Sequence, residues 1–182
     1  KYNGSIYEVF EKTRYIVGVA GAPCTRLLKK QMRKEFERHK DRQVFGYTVE
    51  EQERVNRFLD ANNDVNLWSI LIDKGLTKQD CLAILKRGGV ELPIMYKLGY
   101  QNNNCIGCVK GGLGYWNKIR NDFPEQFNRM AEMEKKINAK ILKYNGERIW
   151  LTDLPKDVGD YPREQAIECG IFCHLAEEEL RK

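Results

Sequence analysis

Between residues 43 and 89 the sequence steps twice from a short apolar run into an amphipathic helix. QVFGYT (43–48) reads as a buried strand interrupted by a glycine, and VEEQERVNRFLDAN follows it with its acidic residues first, as the helix dipole favours. NLWSILI (66–72) reads as a second buried strand. LTKQDCLAILKRGG (76–89) reads as a helix, with Thr77 at the N-cap, Asp80 at the capping-box position and Gly88-Gly89 as the stop. Strands alternating with helices predict an α/β domain. Only two core strands are clear, too few for a full doubly wound sheet, so the sheet is expected to be incomplete.

The flanking segments are mostly helical. SIYEVFEKTRYI (5–16) has apolar residues at helical spacing, and a glycine-rich turn, VGVAGAPCTR, carries Cys24 into a basic helix expected from Thr25 to about Lys40. Leu27, Leu28, Met32 and Phe36 form its expected buried stripe, and its six basic residues from Arg26 to Arg38 read first as a solvated face. LPIMYKLGY is expected to be extended. A helix is expected to start at WNKIRND, and a long one runs from Pro124 to about Asn138. Asn145-Gly146 between two apolar runs predicts a hairpin. The expected organisation is one domain over 1–182, with residues 140–182 appended to it as hairpin and tail.

The chain has 182 residues, and a net charge of +5 fits an anionic substrate or a nucleic-acid partner without selecting either. No apolar run approaches the roughly 18 residues that span a bilayer, and no signal-peptide core is present, so a cytoplasmic protein without a membrane partner is expected. The chain begins with Lys1, which suggests a processed product or a fragment.

Six cysteines, Cys24, Cys81, Cys105, Cys108, Cys169 and Cys173, are too sparse for a disulfide scaffold. In QNNNCIGCVKGGLGYW (101–116), Cys105 and Cys108 have the spacing that lets two thiolates face one ion, with Gly107 easing the bend. A redox pair and inert thiols are the alternatives. Cys24 lies at or next to a helix N-terminus, where the dipole favours thiolate. Cys81 is either a small core residue or a further ligand. Cys169 and Cys173, at i and i+4 with His174 adjacent, could form a second site, supply a missing ligand or simply pack.

PCTRLLK (23–29), FGYTVEEQERV (45–55), LTKQDCLAIL (76–85), the long block from Leu92 to Pro124 and CGIFC (169–173) together resemble the phosphoadenosine phosphosulfate (PAPS) reductase-like family. This family belongs to the adenine nucleotide alpha-hydrolase, or PP-loop, superfamily, and the likeness is to its short phage and bacterial members. NNNCIGCxKGGxGYW is the most specific part. The resemblance implies an α/β sheet binding an adenylyl nucleotide, with a cysteine-rich metal-binding loop.

Relatives with a 4Fe–4S cluster hold it on a tandem cysteine pair before a helix and a downstream Cys-x-x-Cys. The resemblance therefore implies Cys24, Cys105 and Cys108 as ligands. The second tandem position is not cysteine here, because Pro23 and Thr25 flank Cys24. Cys81 is the choice for the fourth ligand, with Cys169 or Cys173 as competitors. Four thiolates suit a 4Fe–4S cluster or, alternatively, zinc. Glu51 and Arg54 match a family position at the substrate-side edge, although an i, i+3 surface pair is equally compatible. Arg26 and Lys110 are further anion ligands, the latter with the glycines beside it, and Asn102, Asn103 and Asn104 brace the loop.

The superfamily's Ser-Gly-Gly-x-Asp-Ser phosphate loop has no counterpart in these residues, so the chain is expected to correspond to about the C-terminal two-thirds of the family domain. The expected function is sulfur transfer or reduction on an adenylylated sulfur compound or ATP, with a thiol or electron-donor protein as partner. The alternative is a non-catalytic module, stapled by its metal, that binds nucleic acid or a protein.

Overall fold

The computed structural model describes residues 1–18 and 21–167. The chain is organised as two compact units, one built from residues 1–35 with the described residues from Ile94 onward, the other from Phe36–Pro93. Helices alternate with two small two-stranded sheets, an α/β arrangement in the broad sense. Among the described residues no helix is long and apolar enough to cross a membrane.

In the first unit, α1 (Ile6–Thr13) starts at Ser5, whose hydroxyl accepts from the Glu8 N–H. A helix then begins with α2 (Pro23–Thr25), continues as a π-helical segment over Arg26–Lys30 and ends as α3 (Gln31–Phe36). It stops short of Lys40, and its apolar stripe does not stay buried: Leu27 is buried, whereas Met32 is 48% and Phe36 86% exposed. The π segment accounts for this. Each i→i+5 turn takes in one extra residue, so later side chains rotate by about 100° from the face set by Leu27.

α7 (Ile94–Lys97) replaces the extended run expected there. Pro93 precedes it and Gly99, at φ +77°, closes it through the Tyr100 N–H to the Met95 carbonyl. α8 (Leu113–Asp122) begins before Trp116 rather than at it, and only Phe123 separates it from α9 (Pro124–Ile137). β3 (Leu142–Tyr144) and β4 (Glu147–Ile149) pair antiparallel, the chain reversing at Asn145-Gly146, both with positive φ. These elements enclose one core, in which Phe10, Trp116, Ile119, Met130 and Leu151 are fully buried.

In the second unit, β1 (Gln43–Val44) and β2 (Leu67–Trp68) pair in parallel, joined through a 3-10 turn and α4 (Gln52–Ala61). The predicted strand over 66–72 is therefore short, because the chain turns at Ser69 into α5 (Ile70–Asp73) and closes with the Leu76 N–H on the Leu71 carbonyl. α6 (Lys78–Arg87) has the Thr77–Asp80 capping box. Phe45 packs on Tyr47 and Phe58 in a small aromatic core.

Glu134 is fully buried in α9, where its carboxylate accepts from the Ile141 N–H at 2.6 Å and the Leu151 N–H at 2.7 Å. It thereby ties the chain entering β3 and the chain leaving β4, both at the open end of the hairpin, to the helix. Burial raises its pKa, against the opposing effect of those two bonds. The folded chain then keeps a proton that the unfolded chain releases, so stability falls as pH rises from the ordinary Glu range through the raised value. Glu134→Ala, which strands two buried N–H groups, is expected to cost about 2–4 kcal/mol. Glu134→Gln is expected to abolish the pH slope in that interval. Urea denaturation as a function of pH measures both, and an Ala variant within about 0.5 kcal/mol of wild type would contradict this role.

Candidate functional site

Cys24, Cys105 and Cys108 border a single cavity of about 730 Å³, whose described lining residues all belong to the first unit. That volume lies in the range of roughly 300–1,000 Å³ usual for small-molecule and cofactor sites. Ile6, Phe10, Leu27, Leu28 and Val109 supply an apolar wall, and Lys1, Lys29 and Glu35 stand among the polar lining residues. Cys24 reaches it from the first turn of the helix that starts at Pro23, with Ala22 as N-cap. The π segment follows at once, a feature frequent at functional sites.

The loop carrying the other two thiols is held by α8. The Tyr115 hydroxyl accepts from the Cys108 N–H at 2.9 Å and donates to the Cys105 carbonyl at 3.1 Å, so one phenol bridges both ends of the Cys-x-x-Cys turn. Tyr115 is 1% exposed, and burial raises its pKa, keeping the bridging group a neutral phenol. Gly107 takes φ +73° inside the turn, where a Cβ would lie 3.3 Å from the Trp116 ring. A Cβ at Gly111 would overlap the Tyr115 ring itself.

The remaining glycines make room for a carboxylate. Glu164 accepts from the Gly114 N–H at 2.6 Å and the Tyr115 N–H at 3.0 Å, and a Cβ at Gly112 or Gly114 would lie 2.9 Å from it. The first turn of α8 thus meets the chain's own Glu164, and of the glycines beside Lys110 the Gly111 N–H donates to the Cys108 carbonyl. The asparagines brace the loop through the tail. Asn102 and Asn104 both donate to the Ile167 carbonyl, at 3.2 and 3.1 Å, and the Gln101 side chain donates to the Glu164 carbonyl. No local pattern in the sequence marks Tyr115 or Glu164, whose partners lie 7 to 63 residues away.

The other candidates fall in different places. Cys81 is half-buried on α6 in the second unit. Glu51 completes a capping box, accepting from the Thr48 N–H, and pairs with Arg54 Nη1 at 2.5 Å. Arg54 also lies over the Tyr47 ring. This is the local i, i+3 arrangement, and it places Glu51 at the start of α4. Arg26 is exposed at the first position of the π segment. Lys110 borders a second cavity, described below. Cys169 and Cys173 lie outside the described residues.

Cys24, Cys81, Cys105 and Cys108 form no disulfide among the described residues. Three of the four share a cavity wall, a soft donor set that suits zinc or an iron–sulfur cluster. Among the described residues no three His, Cys, Asp or Glu side chains converge to ligating distance. The donor set thus fits such a group in kind, while the side chains as placed do not form a ligand cluster. Tyr115→Phe should cost about 1–3 kcal/mol by leaving the Cys108 N–H and Cys105 carbonyl unmet. Equilibrium urea unfolding measures this, and a change below about 0.5 kcal/mol would contradict the bridging role. No protein-family model matches the sequence, no curated protein matches it, and no solved structure matches its fold.

Proposed function

We propose that this chain is the cluster-binding part of a PAPS reductase-like protein of the PP-loop superfamily, cytoplasmic, acting in sulfur transfer or reduction. Its substrate is an adenylylated sulfur compound or ATP, and a thiol or electron-donor protein is its partner. One observation carries the reading: Cys24, from the start of one helix, and Cys105 and Cys108, from a loop held by another, line the same cavity. The three thiolates would hold a 4Fe–4S cluster or, alternatively, zinc, with Tyr115 setting the loop and the apolar wall limiting water. Bound, that group would join the loop to α2 and set the charge near the transferred sulfur. Lys110 would meet the substrate's anionic group.

The short parallel pair β1–β2 supports an incomplete PP-loop sheet. Parallel strands are ordinarily covered on both faces, whereas Val44 is 55% exposed. For the fourth ligand, Cys81, Cys169 and Cys173 compete. A second reading, the metal-stapled non-catalytic module, is favoured by the Glu51–Arg54 pair, since both residues are engaged locally.

Anaerobic purification with iron, sulfide and zinc analysis tests the proposal. Iron with labile sulfide, lost in Cys105→Ser, is the expected result, and zinc alone would select the zinc form. Absence of both metals, with all thiols free, would overturn the site. Cys81→Ala and Cys169→Ser then identify the fourth ligand by which of them lowers metal stoichiometry. Turnover of an adenylylated sulfate separates the enzyme from the non-catalytic module.

A further inference from the structure

Lys143 and Arg148 stand directly opposite each other across the β3–β4 ladder. Like charges at such positions repel and weaken the pair, and opposite charges are the favourable arrangement. Among the described residues neither cation forms an ion pair. Arg148 is nevertheless held in place: Nη1 donates to the carbonyls of Lys140 at 3.2 Å and Ile141 at 2.8 Å, leaving its other nitrogens without a partner among the described residues. A fixed guanidinium facing a lysine is a poor device for stabilising two strands. It is a good one for receiving an anion through charge-assisted, forked hydrogen bonds.

Both residues, which are exposed, border with Lys110 a cavity of about 400 Å³ in the first unit. Its other lining residues include Gly18, Gly21, Gly111 and Gly112 and the apolar Val109, Leu113, Ile141 and Leu142; among the described residues no acidic one borders it. The carboxylate of the neighbouring tail, Glu164, is committed to the Gly114 and Tyr115 N–H groups. Lys143 and Arg148, which face each other without an ion pair among the described residues, thus border one concavity, and Lys110 borders it too.

We propose that this cavity is an oxyanion site that takes the phosphate or sulfate group of a small ligand, bound by Arg148 and Lys143 from the β3–β4 pair and by Lys110 from the cysteine loop. The proposal goes beyond the reading above by assigning Lys143 and Arg148, and it does not depend on bound metal. Lys110 follows Cys108 by two residues, so the same loop would serve the oxyanion site and the thiol-lined cavity.

Titration calorimetry of the full chain with inorganic phosphate, and separately with inorganic sulfate, tests this at fixed chloride concentration. Saturable binding is expected, weakened about tenfold or more in Arg148→Gln and in Lys143→Gln. Lys156→Gln, which removes an exposed charge elsewhere, is expected to bind as wild type. A thermal melt gives a second, opposed readout. In phosphate-free buffer Lys143→Glu should have a Tm equal to or above that of wild type, because the like-charge pair is gone. Added phosphate should then raise the Tm of wild type but not of the variant. Absence of saturable binding, affinity indifferent to both glutamine variants, or an equal loss in Lys156→Gln would overturn the proposal. So would binding of an oligonucleotide alone, with inorganic phosphate and sulfate inert.

Discussion

The phenol of Tyr115 is the interaction on which the rest of the first unit depends. Buried against Trp116 and Tyr100, with ring centroids 5.8 and 5.9 Å away, it has no freedom to leave. Its hydroxyl fixes both ends of the Cys105–Cys108 turn. That phenol is itself placed by α8, whose first N–H groups are capped by Glu164, and the tail that carries Glu164 is held by Gln101, four residues before Cys105. Tail, helix and loop thus form a closed circuit of contacts. A Cβ at 111 would collide with the Tyr115 ring, one at 112 with the Glu164 carboxylate, and one at 114 with the backbone of Asp160 and Tyr161 as well as that carboxylate. KGGLGYW is in this sense a packing motif, and the thiols are presented by the structure it secures.

The two sides of the loop have different chemistry. One side gives Cys105, which is exposed, and Cys108, which is buried, to a cavity shared with Cys24 and walled in part by apolar residues. On the other, Lys110 joins Lys143 and Arg148 around a cationic concavity. Val109 borders both. A loop with thiolates on one flank and cations on the other could couple a bound metal to an oxyanion through residues 105–110, with Tyr115 as the rigid support of both.

The sequence shows local features well and distant ones poorly. Thr77 with Asp80 at the start of α6, Pro124 opening α9 and the reversal at Asn145-Gly146 each depend on neighbours within four residues, and each is legible. Met32 and Phe36 are misplaced by simple periodicity because a π turn between them and Leu27 rotates the face. α7 is hidden because Pro93 and Gly99 leave only four residues between them, too few to show a helical period. The convergence of Cys24 with Cys105 and Cys108 onto one cavity rests on the family resemblance together with the Cys-x-x-Cys spacing. The roles of Tyr115, Glu164, Lys143 and Arg148 rest on partners that no local pattern links to them.

The central claim is that Cys24, Cys105 and Cys108 share one metal centre. X-ray absorption at the iron or zinc edge of the anaerobically purified protein tests it most directly, compared with the same measurement on Cys24→Ser. A shell of sulfur neighbours alone, at about 2.3 Å, that loses sulfur occupancy in Cys24→Ser is the predicted result. A first shell dominated by nitrogen or oxygen at about 2.0–2.2 Å, or a sulfur shell untouched by loss of Cys24, would contradict it.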